Sequence, residues 1–153
     1  MDMTGARYES VLEDAMATQL RRATQVIYAS WHQHSGDLTP VQFAVLQVLD
    51  ARGSLDQTTL GSLASVDRST LTPLLDRLAS RDLLTKATDP ANRRRQLVTL
   101  TPAGHERAAA GREQAQETSR WIEELLGPER LATLTLILKE IADAGAAHGR
   151  DEK

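Results

Sequence analysis

Four leucines, Leu71, Leu74, Leu75 and Leu78, stand at i, i+3, i+4 and i+7, and no other feature constrains the chain so tightly. On a helix they fall on one stripe that has to be buried. Around them, Arg68, Ser69, Thr70, Thr72, Pro73 and Arg77 take the remaining faces and are small, hydroxylated or cationic. Asp67 suits an N-cap whose carboxylate accepts from the amide of Ser69 or Thr70. A helix that opens with hydroxyl and guanidinium groups has the chemistry to enter a DNA major groove and meet phosphates and base edges. An ordinary amphipathic helix with a solvated face satisfies the same pattern. Pro73 lies past the first turn, where proline removes a helical hydrogen bond and is expected to bend the axis.

The neighbouring stretches give this helix a context. Asp56 caps a small helix from Gln57 to about Ala64, with Leu60 and Leu63 expected inward, and Ser65-Val66 turns into the central helix. Two short helices joined so tightly form a helix-turn-helix unit. Upstream, Thr39 caps, Pro40 takes the first helical position and Gln42 closes a capping box. Phe43, Leu46 and Leu49 supply that helix's stripe, Gly53 a left-handed cap, and Ser54-Leu55 a short extended link. Met1 to Arg7 shows no pattern and reads as an arm. A long helix follows from about Tyr8 to His34, its stripe formed by Leu12, Met16, Leu20, Ala23, Ile27 and Trp31 and broadened by Val26.

Downstream, Leu83 to Lys86 reads as a strand and Gln96 to Leu100 as its partner. The loop between them, Ala87 to Arg95, carries Arg93, Arg94 and Arg95 at its tip. A hairpin tip bearing arginine, set just after a helix-turn-helix, is a wing, and arginine suits the negative potential of a narrow minor groove. A solvated charge run is the plain alternative. Thr101-Pro102 starts an Ala-rich helix that becomes apolar only near Trp121, Ile122, Leu125 and Leu126. Gly127-Pro128 breaks it. The final helix, Glu129 to about Ala147, aligns Leu131, Leu134, Ile137, Leu138 and Ile141.

The predicted fold is mainly α with a small β-hairpin wing. One domain spans 1–153, with a winged helix-turn-helix lobe at 37–101 flanked by helical dimerisation regions at 8–35 and 102–148. The net charge of −3 hides a split: residues 67–95 carry +3, so the rest carries −6. With no cysteine, thiol catalysis, disulfides and thiolate metal sites are excluded. No 18-residue apolar run and no signal-peptide core are present, which reads as a soluble cytoplasmic chain without a membrane partner. His32, His34, His105 and His148 follow no metal-binding spacing, and there is no Gly-rich phosphate loop. The expectation is no enzyme, no metal and no cofactor.

The helix after Pro102 runs about 25 residues, almost 40 Å at 1.5 Å per residue, which carries its apolar end beyond the winged lobe. A second copy would cover that end, and a two-fold dimer would present its recognition helices about 34 Å apart, at successive major grooves. A monomeric helical cap over the lobe is the alternative. A winged helix that binds protein rather than DNA is the alternative function, though such a surface favours exposed aromatic or Met anchors over arginines and hydroxyls.

The order of elements resembles the MarR family of bacterial transcription regulators over nearly the whole chain. The specific matches are Asp89-Pro90-Ala91-Asn92-Arg93-Arg94-Arg95 through Leu100-Thr101-Pro102-Ala103-Gly104, similar to the family's Asp-Pro, Asp-x-Arg, Leu-Thr-x-x-Gly pattern. Ser69 to Leu75 is similar to the recognition helix of the OhrR branch, whose peroxide-sensing cysteine this chain lacks. Asn92 stands where the pattern has the Asp of Asp-x-Arg, and Arg94 takes the wing-arginine position. The resemblance implies a homodimeric repressor on double-stranded, palindromic operator DNA, released by a small phenolic or aromatic acid. It points to an effector pocket at Tyr28, Trp31, His32 and Phe43; the competing reading makes Trp31 a core residue and His32 half-exposed.

Overall fold

Three side-chain caps start the helices of the central lobe. In the computed structural model, which describes residues 3–35 and 37–151 with side chains for 15–33 and 37–145, the order is α1 (Met3–Ser35), α2 (Pro40–Arg52), β1 (Leu55–Asp56), α3 (Gln57–Ala64), α4 (Arg68–Ser80), β2 (Leu84–Asp89), β3 (Asn92–Leu100) and α5 (Pro102–Asp151). Thr39 and Gln42 form the expected capping box, at 3.2 and 3.0 Å, with Pro40 opening α2. Asp56 accepts from the Thr59 amide at 3.0 Å, and Asp67 from the Thr70 amide at 3.0 Å. Each cap satisfies an amide that has no partner inside its helix.

The chain forms two compact units, Met1–Ala115 and Gln116–Lys153. The first holds the core. Leu71, Leu74, Leu75 and Leu78 of α4 are buried as their spacing requires, packed with Leu38, Val45, Leu46, Leu49, Leu60, Leu84, Val98, Leu100 and Ala108. Removing each such leucine from water contributes about 1.5–3 kcal/mol. α4 stays helical through Pro73. Ser65 makes the turn between α3 and α4 in the left-handed region, at φ 53° and ψ 43°, and the Val66 amide reaches back to the Gly61 carbonyl at 2.8 Å.

Several expectations are corrected. The helical backbone begins at Met3 rather than Tyr8, while Met1 and Asp2 lie outside the described residues. On α1 only Trp31 of the expected stripe is buried; Met16, Leu20, Ala23 and Ile27 are exposed, and the side chain of Leu12 lies outside the described residues. On α2 the buried face is Gln42, Val45, Leu46 and Leu49, and Phe43 sits half-buried beside it. Leu63 is exposed; on α3 it is Leu60 and Gly61 that are buried, with Ala64 packed partly against the core. Gly53 has positive φ, at 76°, but ψ of −145° takes it out of the left-handed helical region. The expected link Ser54-Leu55 leads into a third strand: β1 pairs antiparallel with β3, Leu55 opposite Val98, giving the sheet order β1-β3-β2.

The wing differs most from its expected shape. β2 and β3 pair from Leu84 opposite Leu100 to Asp89 opposite Asn92, with an irregularity between Thr88 and Asp89. The strands therefore run nearly to the tip, which is only Pro90-Ala91, and Arg93, Arg94 and Arg95 lie on β3 rather than in a loop. At the tip, Asp89 accepts from the Ala91 amide at 2.8 Å and Asn92 from the Arg94 amide at 3.1 Å. Asn92 thus fixes the backbone of the wing arginine with its side-chain oxygen.

The wing's base is sewn to the start of α5. Thr101 donates its amide to the Leu83 carbonyl at 3.1 Å and its hydroxyl to the Asp82 carbonyl at 2.5 Å, while accepting from the Gly104 amide at 3.0 Å. A Cβ on Gly104 would sit 1.9 Å from the Leu83 carbonyl oxygen, so only glycine fits. This is the physical content of the Leu-Thr-x-x-Gly sequence. The first turns of α5 are tied to α2 by Gln47 on the Ala108 carbonyl at 2.7 Å and by Arg112 on Asp50 at 2.5 Å.

In the second unit, Gly127 interrupts α5 at φ 71° and ψ 165°, where Gly127-Pro128 was expected to break it. Leu134, Leu136, Ile137, Leu138 and Ile141 are exposed in the single chain.

Candidate nucleic-acid interface

α4 presents Arg68, Ser69, Thr70, Thr72, Pro73 and Arg77 to solvent, all exposed, opposite its buried leucines. The helix-turn-helix and the sheet thereby bring the reading face beside the wing. A cleft of about 930 Å³ lies beside the wing, lined by Gln57 and Ser62 of α3, by Arg68 at the start of α4, and by Arg93, Arg94 and Gln96 of β3.

The cations of this region fall into two groups. Arg81 pairs with Asp37, Lys86 with Asp76, and Arg95 with Asp56 at 2.7 Å. The guanidinium groups of Arg68, Arg77, Arg93 and Arg94 have no hydrogen-bond or ion-pair partner among the described residues. Four guanidinium groups are therefore free to meet phosphate. Arg95, expected to act with its two neighbours, differs from them in pairing across to Asp56 at the N-cap of α3, its side chain still 53% exposed; Gln57 and Gln96 add a second tie across the same seam at 3.3 Å.

The acidic cap of α4 is itself fully engaged. The hydroxyl of Ser69 donates to Asp67 at 2.5 Å, and that of Thr70 at 2.7 Å. These bonds, with the Thr70 amide, hold the Asp67 carboxyl well below the usual carboxylate range. Asp56 is also lowered, chiefly by the Thr59 amide. Both caps stay anionic at neutral pH.

Sequence reasoning missed Asp56, Gln57 and Gln96 as parts of this surface. Asp56 was visible as a cap, but its ion pair spans 39 residues, and no local spacing signals such a contact.

The expected effector residues separate. Trp31 is 5% exposed, donates its indole N–H to the Leu38 carbonyl at 2.7 Å, and packs against Phe43 with ring centroids 4.9 Å apart. Those contacts make Trp31 a core residue, with its one donor spent. Phe43 fills the space beside Gly111, where a Cβ would meet its ring at 2.5 Å. Tyr28 is 38% exposed, and His32 is exposed. No group of three or more His, Asp or Glu side chains that could hold a metal ion occurs among the described residues. No helix among them is long and apolar enough to cross a membrane.

Comparison with known proteins places this geometry. The model of the MarR family matches residues 38–95. The HTH-type transcriptional repressor NicR of Pseudomonas putida is 35% identical over 129 residues, covering 80% of this chain and 79% of its own length. The chain belongs to the MarR family. Among solved structures, BpsR of Bordetella bronchiseptica superposes with a TM-score of 0.76 at 30% identity, covering 84% of this chain and 98% of that one. It is described for the regulation of its DNA binding by 6-hydroxynicotinic acid. The transcriptional repressor CouR, bound to a 23-mer DNA duplex, superposes at 0.78 with 28% identity, covering 86% and 94%. Like its MarR relatives, this chain is a DNA-binding transcription regulator with a winged-helix fold.

Proposed function

We propose that the chain acts as a homodimeric repressor on a palindromic operator and is released by a small aromatic acid. α4 reads the major groove through Arg68, Ser69, Thr70, Thr72, Pro73 and Arg77. Arg93 and Arg94 of the wing follow the adjacent backbone into the minor groove, and Arg95 holds the wing in place through Asp56. The observation that carries this reading is the set of four unpaired guanidinium groups on α4 and β3, beside a hydroxylated helix face. In a chain of net charge −3, such concentration suits a polyanion. Repression and the aromatic effector are supported by NicR, CouR and BpsR, and the exposed apolar side chains of α1 and of the second unit support the dimer. We assign the protein no catalytic role and place it in the cytoplasm with its DNA.

A retardation assay on duplex DNA upstream of its own gene tests the reading. Binding should weaken steeply with salt, with a log–log slope near −0.9 per neutralised phosphate. Failure to bind any duplex at low ionic strength would sink it. For the effector, a thermal-shift screen of hydroxylated aromatic acids should find a stabilising compound. Exposed His32 and Tyr28 are the candidates to face it, with Phe43 and Trp31 forming the wall behind. A hit whose stabilisation survives His32→Ala unchanged would place the effector elsewhere.

A further inference from the structure

The hydroxyl protons at the start of α4 are already committed. Ser69 donates to one oxygen of Asp67 at 2.5 Å and Thr70 to the other at 2.7 Å. Thr72 donates to the Arg68 carbonyl at 3.1 Å. A hydroxyl has one proton and two lone pairs, so once its proton is spent it faces the outside as an acceptor. Hydrogen bonds to a carboxylate are roughly twice as strong as neutral ones. Guanine O6 and N7, and thymine O4, are neutral acceptors that would have to draw the proton from an anion. Phosphate is charged, but the Asp67 carboxylate beside both hydroxyls repels it. What remains in the major groove as a donor is the exocyclic amine, N6 of adenine or N4 of cytosine.

We propose that Ser69 and Thr70 select amine-bearing bases through their acceptor oxygens, and that Asp67 is the positioning residue that sets this polarity by holding both protons inward. Thr72 provides an internal contrast. Its proton rests on a neutral carbonyl, so it turns more freely and discriminates less. Arg68 and Arg77 supply the donors that the hydroxyls cannot, which divides the face into acceptors and donors. The inference rests on the DNA-reading role of α4 and deepens it.

Selection from a random duplex library, with wild type and with Asp67→Asn, tests the polarity. Asparagine keeps an oxygen for the helix cap but loses the charge that holds the hydroxyl protons. Wild type should enrich adenine or cytosine opposite Ser69 and Thr70; Asp67→Asn should admit guanine and thymine there while leaving other positions as they were. In the selected site, replacing that adenine by purine deoxyriboside, or that cytosine by 2-pyrimidinone deoxyriboside, should cost wild type about ten-fold in affinity. The Ser69→Ala, Thr70→Val double variant should lose nothing further on the same replacement, which separates the contact from weakened base pairing. Identical preferences in wild type and Asp67→Asn, or an equal cost in the double variant, would overturn the proposal. If wild type enriches no sequence at all, the DNA-reading role itself is what has failed.

Discussion

The winged lobe and the outer helices bury their apolar side chains to opposite degrees. In the lobe, Leu46, Leu60, Leu71, Leu75 and Val98 are 1% exposed or less. On α1, Met16 and Val26 are 63% and 54% exposed, and in the second unit Leu136 and Ile141 are 61% and 55% exposed. Both regions show the same helical spacing in sequence. Periodicity therefore reports that a face wants cover without reporting which chain supplies it. A lobe that closes on its own core needs only its own sequence, whereas helices with such exposed stripes point to a second copy.

The sharpest way to break this contrast is to cut each region in turn. Leu75→Ala should cost about 2–5 kcal/mol, because the packed lobe cannot collapse around the gap. Urea denaturation should show the loss at every protein concentration. Gly104→Ala should cost about 1–3 kcal/mol or more, since the new methyl meets backbone rather than a movable side chain. Charging the outer helices should act differently. Ile137→Glu with Ile141→Glu should leave the lobe folded but halve the sedimenting mass, and it should abolish the rise of melting temperature with protein concentration. A mass unchanged by that pair would remove these side chains from any interface.

Smaller effects sharpen the comparison inside the lobe. Arg94→Ala should weaken binding fairly evenly across sequences and lower the salt slope by about 1. Arg95→Ala should act through stability and wing order, within about 1 kcal/mol, because its ion pair is partly exposed. If the two substitutions reduce the salt slope equally, the division between free and clamped arginines is wrong. The smallest effect concerns acid. Asp37 is lowered chiefly by the Arg107 hydrogen bond and Asp50 chiefly by that of Arg112. Their folded pKa values lie below the unfolded ones, so the stability they contribute is complete above about pH 4 and is lost as pH falls through the folded values. Melting temperature should drop across that acid range, and less steeply in Arg107→Ala and Arg112→Ala.

The parts legible in sequence were those decided by neighbours in the chain. The caps at Thr39, Asp56 and Asp67 and the break at Gly127 each follow from residues within a turn of one another, and the α4 stripe from residues within about two turns. The wing was legible in kind but not in extent. Asn92 to Arg95 are all polar and all exposed, so this part of β3 shows no alternation, and a strand polar on both faces looks like a loop. Leu55 joins the sheet only because Val98 lies opposite, a pairing set by the fold of everything between. For the same reason the three arginines looked equivalent, until Asp56 was seen to take one of them.

The seam at Leu83, Thr101 and Gly104 has a mechanical consequence. The hairpin cannot tilt without dragging the first turn of α5, because two hydrogen bonds and a contact with no room for a single methyl fasten them. Any displacement of that first turn is therefore handed directly to the root of the hairpin, and any tug on the root returns to the helix.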